Sequence, residues 1–172
     1  MELIRPCEEY LEQYREAIQE DVEFRPRAEK MYANPDKVVE QAKRFETGVG
    51  LPEGYVRQTT FWLVDNEKFI GEIGIRHTLT PMLLRYGGNI GYVVRYSESG
   101  KGYATKMLAM ALPYCKEELK LERVLITCDD DNYASATVIE RNGGELENKV
   151  INHLDRGTVT TRRYYISLVD EK

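Results

Sequence analysis

The chain has 172 residues, 42% hydrophobic and 31% charged, with 24 Lys+Arg against 29 Asp+Glu for a net charge of −5. That length suits one domain, 1–172, with a sizeable core; the composition excludes disorder, and the acidic balance argues against nucleic acid as a partner. Cys7, Cys115, Cys128, His77 and His153 fall in no metal-ligand spacing, and no apolar stretch approaches the ~18 residues of a membrane span or forms a signal peptide, so a cytoplasmic protein without a metal or a membrane partner is expected.

Residues 8–20 place Leu11, Tyr14 and Ile18 at helical spacing, with acidic residues in the first turn. Asn34-Pro35 reads as an N-cap followed by proline at the first helical position, opening a helix that Gly48 ends. Residues 48–58, with three glycines and a proline, read as a loop. The β-branched and aromatic run 59–65 turns at Asn66-Glu67 into a second strand, 68–76. Residues 79–88 read as an irregular crossing and 89–95 as a further strand, which completes an antiparallel meander.

A glycine turn, Ser99-Gly100-Lys101-Gly102, then feeds a helix in which Ala104, Met107, Leu108, Ala111 and Cys115 share one face. Pro113 inside that pattern predicts a kink or an early break. Residues 123–128 form a buried strand, Asp129 to Asn132 lead into a helix ending at Asn142-Gly143-Gly144, and 158–168 alternate as an edge or hairpin strand. An exposed edge there offers a surface on which two copies could pair as a homodimer. The element order argues an α/β (α+β) fold built on a mixed sheet.

A strand ending in a glycine turn that opens a helix aims several backbone N–H groups at one spot, with the helix dipole behind them, which suits a phosphate. Lys101 and Lys106 add local positive charge. GxxxxGK[ST] is absent, and position 105 is Thr where a dinucleotide fingerprint has its third glycine, so the turn suits a pyrophosphate and disfavours a nucleotide-binding protein. A plain connecting turn is the simpler alternative.

IGYVVRYSESGKGYATKMLAMAL followed by VLITCDDDNYASATVIERNGG resembles the GCN5-related N-acetyltransferase (GNAT) superfamily over about residues 59–168. The resemblance implies a central, mostly antiparallel twisted sheet with a splayed parallel strand pair, flanked by helices, and acetyl-CoA as co-substrate. Gly100 and Gly102 match the two glycines of [Q/R]-x-x-G-x-[G/A], with Ser97 in place of Gln or Arg. The resemblance thus implies cofactor contacts by Ser99, Gly100, Lys101, Gly102, Tyr103 and Ala104 around the pyrophosphate. It implies further contacts by Val93 and Val94 beside the thioester, and by Asn132 and Ser135 (the N-x-x-[A/S] motif) beside the pantetheine. Asn132 also reads as a simple N-cap, and the valines as core.

Acyl transfer to an amine needs a base, because an amine with a pKa of ~10.4 is largely protonated at neutral pH. The superfamily's usual tyrosine falls on Ile139, and its carboxylate near the start of the strand before the turn falls on Asn89; neither can serve. Glu72, a carboxylate within an apolar strand, is the preferred base, with a surface position or a pairing with Arg76 as the alternative. His77, Cys128 as a covalent carrier, and Tyr92, Tyr133, Tyr164 and Tyr165 are further candidates. Phe61, Trp62, Tyr86 and Tyr92 are candidates for lining an amine pocket. The expected activity is direct acetyl transfer in a ternary complex to a small-molecule or peptide amine. A catalytically silent acyl-CoA-binding module is the alternative.

Overall fold

The computed structural model describes residues 1–26 and 31–169. Its strands are β1 (Glu2–Ile4), β2 (Gln58–Asp65), β3 (Lys68–Arg76), β4 (Ile90–Val94), β5 (Arg123–Asp129), β6 (Glu145–Leu154) and β7 (Gly157–Ser167). Its α-helices are α1 (Leu11–Phe24), α2 (Val38–Thr47), α3 (Pro81–Arg85), α4 (Tyr103–Glu117) and α5 (Tyr133–Arg141). The strands form two antiparallel sheets with the orders β1-β2-β3-β4 and β5-β7-β6.

Strand alternation gives the first sheet two apolar faces. On one, Trp62, Val64 and Phe69 pack against Tyr14 and Ala17 of α1 and Val38 of α2. The Tyr14 and Trp62 rings stack with centroids 4.8 Å apart. On the other, Phe61, Ile73, Ile75, Ile90 and Val94 pack with Met107, Leu108 and Ala111 of α4 and Ala136 and Ile139 of α5. That core continues into the second sheet through Ile126, Cys128, Tyr164 and Ile166. Each large aliphatic side chain so buried contributes about 1.5–3 kcal/mol. The β2–β3 hairpin turns on Asn66 and Glu67, both at positive φ (49° and 58°), as a two-residue connection requires.

Several expectations change. The first helical segment opens as a 3-10 turn, Glu8–Tyr10, before α1. Asn34 does not cap α2: its Oδ1 accepts the Asp36 N–H at 2.9 Å and its carbonyl accepts Lys37 N–H, so Asn34-Pro35 forms a turn and the helix begins at Val38. Gly48 does end α2, at φ 77°. The 79–88 crossing contains α3, capped by Thr80 Oγ1 accepting Leu83 N–H. α4 runs through Pro113 to Glu117 without a break. The carbonyl that proline leaves without a helical donor belongs to exposed Ala109, while Met107, Leu108, Ala111 and Cys115 hold the helix on the sheet. Finally, the tail strand β7 is a hairpin strand, paired with β6 down to Leu154 and Gly157, but not an edge: it is the centre of its sheet, between β5 and β6, and the polar sequence of β6 concealed that strand. Among the described residues no helix is long and apolar enough to cross a membrane, and no group of His, Cys, Asp or Glu could hold a metal ion.

Candidate active site

The two sheets face each other across β4 and β5, and Asn89 stitches them together. Its N–H donates to Leu125 O (2.7 Å), its Oδ1 accepts Leu125 N–H (2.8 Å) and its Nδ2 donates to Arg76 O (3.2 Å). A side chain on Gly88 would stand 2.4 Å from Leu125 O, so glycine is what lets the strands touch there. Past that point β4 is an edge. Arg76 N–H donates to Asn89 O and Arg95 N–H to Ile70 O, which fixes the parity of the ladder: Val93 exchanges bonds with its register partner Glu72, while Tyr92 and Val94 turn their N–H and C=O outward. Val94 O accepts from Arg25 Nη2 at 2.6 Å. Of the two valines singled out by sequence, only Val94 therefore presents its backbone to the opening; Val93 presents its side chain to a cleft on the α1 side.

The glycine turn follows directly. Arg95 is buried and donates through Nε to Glu20 (3.1 Å), while Ser97 donates its N–H (3.0 Å) and Oγ–H (3.1 Å) to the same carboxylate. Buried Glu98 accepts from Lys68 and from Lys101 (2.9 Å), and the two ammonium groups hold its carboxyl below the ordinary range. Ser99 Oγ lies 3.4 Å from Arg95 O. On that anchored base Gly100 (φ 76°) and Gly102 (φ 80°) project into open space, with nothing within 4 Å of where a Cβ would stand. Left-handed backbone, rather than crowding, is what requires glycine here. The first intrahelical bond of α4 is Lys106 N–H to Gly102 O, so the N–H groups of Tyr103, Ala104 and Thr105 point out of the helix end toward the turn. Tyr103 is tied to Asp65 through its hydroxyl (3.0 Å).

Across the opening, Asn132 caps α5, its Oδ1 accepting Ser135 N–H at 3.1 Å. Ser135 Oγ meets Tyr92 OH at 2.8 Å, so the phenol of β4 bridges to α5; burial pushes that phenol up to about 12.

Glu72 lies on the opposite face of β3, in a cleft of about 270 Å³ lined also by Met31, Gln58, Gly74, Arg76, Gly91, Tyr92 and Val93. Fully buried Trp62, its cross-strand neighbour, donates Nε1–H to Oε2 at 2.7 Å. Loss of water raises the carboxyl to about 7, with the Trp62 and Tyr14 donors pulling it partway back. Tyr32 packs edge-on against Tyr14, with ring centroids 5.4 Å apart. Sequence periodicity marked Tyr14 only as a helical core residue; its place under Glu72 depends on α1 packing across β2.

The remaining candidates separate from the cleft. Glu72 and Arg76 are not partners: Glu72 bonds Trp62, and Arg76 donates to Gly87 O (3.1 Å) and Gly88 O (3.0 Å). His77 Nε2 lies 2.8 Å from Thr59 Oγ1, which also meets Tyr114 OH, under α4; burial lowers its pKa. The Cys128 thiol is buried and pushed up to about 11, which leaves little thiolate at neutral pH. Tyr164 OH donates to Glu140 Oε1 (2.9 Å), Tyr133 is exposed, and Tyr165 carries the Arg123 guanidinium 4.1 Å above its ring. Phe61 lies on the face away from Trp62, with the Arg5 guanidinium 4.3 Å from its ring centroid, and Tyr86 accepts from Arg156 Nη2 (3.3 Å), so the four aromatics do not share one pocket. Ile139 is core and Asn89 is the stitch, so both positions where the superfamily's usual groups would fall carry structural work.

Solved proteins of this fold include several named as acetyltransferases. The chain is similar to an RimL ribosomal L7/L12 alpha-N-protein acetyltransferase in complex with coenzyme A (16% identity, TM-score 0.73, 96% of this chain and 92% of that one). It is similar to the microcin C7 self-immunity acetyltransferase MccE in complex with acetyl-CoA and AMP (18%, TM-score 0.74, 96% and 91%). A third likeness is to a spermidine N-acetyltransferase SpeG chimera from Vibrio cholerae and hSSAT (17%, TM-score 0.67, 98% and 97%). These likenesses are of fold. In sequence, an uncharacterized N-acetyltransferase, YnaD, of Bacillus subtilis (strain 168) is 28% identical over 83 residues, 48% of this chain and about half (49%) of that protein's length. The profile of the acetyltransferase (GNAT) domain matches residues 2–145, and on that match the chain belongs to the GNAT acetyltransferase family.

Proposed function

We propose that the 172 residues form one N-acetyltransferase domain that transfers the acetyl group of acetyl-CoA to a primary amine, directly, with both substrates bound and Glu72 as general base. The observation that carries this reading is the half-buried carboxylate of Glu72, held by Trp62 on the floor of a cleft that β4 separates from the glycine turn. A base works best when its pKa lies near the working pH, and a carboxyl at about 7 meets that condition. The fit of the co-substrate rests on the turn. Gly100, Lys101 and Gly102 with the helix end at Tyr103 and Ala104 suit a pyrophosphate, and the outward N–H of Val94 with the outward N–H and C=O of Tyr92 suit an extended amide chain running toward Asn132 and Ser135, Val94 O being taken by Arg25. The Val94 N–H, facing the same opening, is the donor best placed for the carbonyl oxygen that gains charge during transfer.

In the transfer the amine nitrogen forms a bond to the acetyl carbon and its proton passes to Glu72. The carbon–sulfur bond breaks, and CoA leaves as a thiolate that solvent protonates readily, thiols having a pKa of ~8.5. Cys128, buried and protonated, supports transfer without a covalent acetyl-enzyme. Two-substrate kinetics check this: intersecting reciprocal plots are expected, whereas parallel lines together with an acetylated Cys128 in the intact mass would contradict it. The structural employment of Ile139 and Asn89 favours one other reading, a silent acyl-CoA-binding module. Acetyl-CoA binding without turnover of any amine would support that reading, and ATP should compete in neither case.

A further inference from the structure

The cleft that holds Glu72 has a second charged group at its other end, and its surroundings differ from those of the comparable cations. Among the described residues, six arginines are buried or half-buried: Arg15, Arg25, Arg76, Arg95, Arg162 and Arg163. Five rest against a carboxylate, respectively Asp36, Asp21, Glu20, Asp130 and Glu147. Arg76 has no carboxylate partner among the described residues. Its Nη1 donates to Gly87 O and Gly88 O, which fixes the plane of the guanidinium, and its Nη2 and Nε edges have no partner there. Burial lowers its pKa without any opposing charge nearby to raise it. A desolvated guanidinium lacking its counter-ion is costly, and its planar fork suits a carboxylate or phosphate in two-point contact.

What lies between the two ends matters equally. Glu72, Gly74 and Arg76 are alternate residues of β3 and so share one face, and the register partner of Gly74 is Gly91. No atom comes within 4 Å of where a Cβ of Gly91 would stand. The floor between carboxylate and guanidinium is therefore a pair of glycines, uncovered over Gly91 and overlain at Gly74 by the Gln58 amide, whose Nε2 lies 2.9 Å from where a Cβ would stand, with about 13 Å between the Cα atoms of Glu72 and Arg76. A Glu72-to-Arg76 ion pair would have closed it, yet each of these side chains bonds elsewhere.

From this geometry we propose, resting on the acetyl-transfer reading of the cleft, that the acceptor is an amine that carries its own anionic group, carboxylate or phosphate, several bonds away. The amine lies at Glu72, and the anion completes the unfilled donor edge of Arg76. A polycation would meet Arg76 as a like charge.

The test measures release of CoA thiol with acceptors matched at the amine: aminocarboxylates of increasing chain length, aminoalkyl phosphates, the alkylamines lacking the anion, and spermidine. The wild-type protein is expected to favour anionic acceptors over their neutral matches by at least roughly tenfold, since a charge-assisted contact left unmade typically costs 10- to 100-fold. R76Q is expected to bring that ratio near one, and R76K, which keeps the charge, to retain part of it. Thermal melts of both variants show whether the Gly87-Gly88 turn still folds, and the ratio is read on whichever variant does. The carboxylate and phosphate series identify which anion fits. A preference for spermidine or neutral amines, or an R76Q that slows every acceptor alike, would overturn the inference while leaving acetyl transfer standing. Calorimetric binding of acetyl-CoA with no turnover of any amine would remove both.

Discussion

Glu72 is a carboxylate between two apolar strand residues, and its burial has consequences for stability as well as chemistry. Its carboxyl sits at about 7 in the folded protein against about 4.5 in the unfolded chain. A raised pKa in an acid means that the folded state holds the proton more tightly. The penalty is absent below about 4.5, grows as the pH rises, and is complete above about 7. E72Q keeps an oxygen for the Trp62 N–H and carries no charge. It should therefore melt higher than the wild type at pH 8, by on the order of 1–3 kcal/mol, and match it near pH 4.5. Equal melting temperatures at both pH values would show the carboxyl to be well solvated. Sequence alone marked Glu72 because an acid in an apolar strand is an anomaly that needs a reason. It could not show Trp62 or Tyr14 beneath it: a cross-strand neighbour depends on register, and Tyr14 reaches the site only because α1 packs on that face.

At the scale of elements, two backbone features position the site, and each can be removed separately. Gly102 sets the mouth of α4 at φ 80° in open space, so G102A introduces strain without a clash. A loss of about 1–2 kcal/mol in stability is expected, together with at least roughly tenfold weaker acetyl-CoA binding, read by calorimetry. Unchanged affinity would mean that the turn does not hold the pyrophosphate. The stitch at Asn89 behaves differently. N89A leaves Leu125 N–H and Arg76 O without their side-chain partner and should cost about 2–4 kcal/mol in denaturant unfolding; a loss below 0.5 kcal/mol would show that the strands are held elsewhere. The glycine turn, β2 through β4, α4, β5 and α5 were all legible, because hydrophobic period and turn chemistry agree there. β6 and α3 were not. β6 (ELENKVINHL) is strand only because β7 supplies its hydrogen bonds, and α3 is too short to show a helical period. Pro113 misled for a related reason: a propensity that breaks an isolated helix is outweighed when four side chains of that helix are buried.

Over the whole molecule, two cores share one sheet. β2 and β3 present one face to α1 and α2 and the other to α4 and α5, so neither helical layer can leave without exposing the strands that serve the other. The single tryptophan, Trp62, reports on the first core, whereas far-ultraviolet dichroism reports on both. The two signals should follow one denaturant transition with the same midpoint. Loss of the Trp62 signal at lower denaturant would mean that the layer bearing the base opens independently. The same arrangement places the glycine turn and the outer edge of β4 at the seam between sheets and the Glu72 carboxylate on the α1 face, so in the proposed reaction acetyl donor and amine would approach β4 from different sides.

Acetyl transfer with Glu72 as the base is tested most directly by the rate of CoA thiol release from acetyl-CoA and a saturating amine, followed from pH 5.5 to 9 in the wild type and in E72Q. The wild type should show an acid limb of unit slope bending near 7, and E72Q should fall at least about 100-fold and lose that limb while still binding acetyl-CoA. An E72Q rate within about threefold of the wild type, with the limb intact, would contradict the role assigned to this carboxylate.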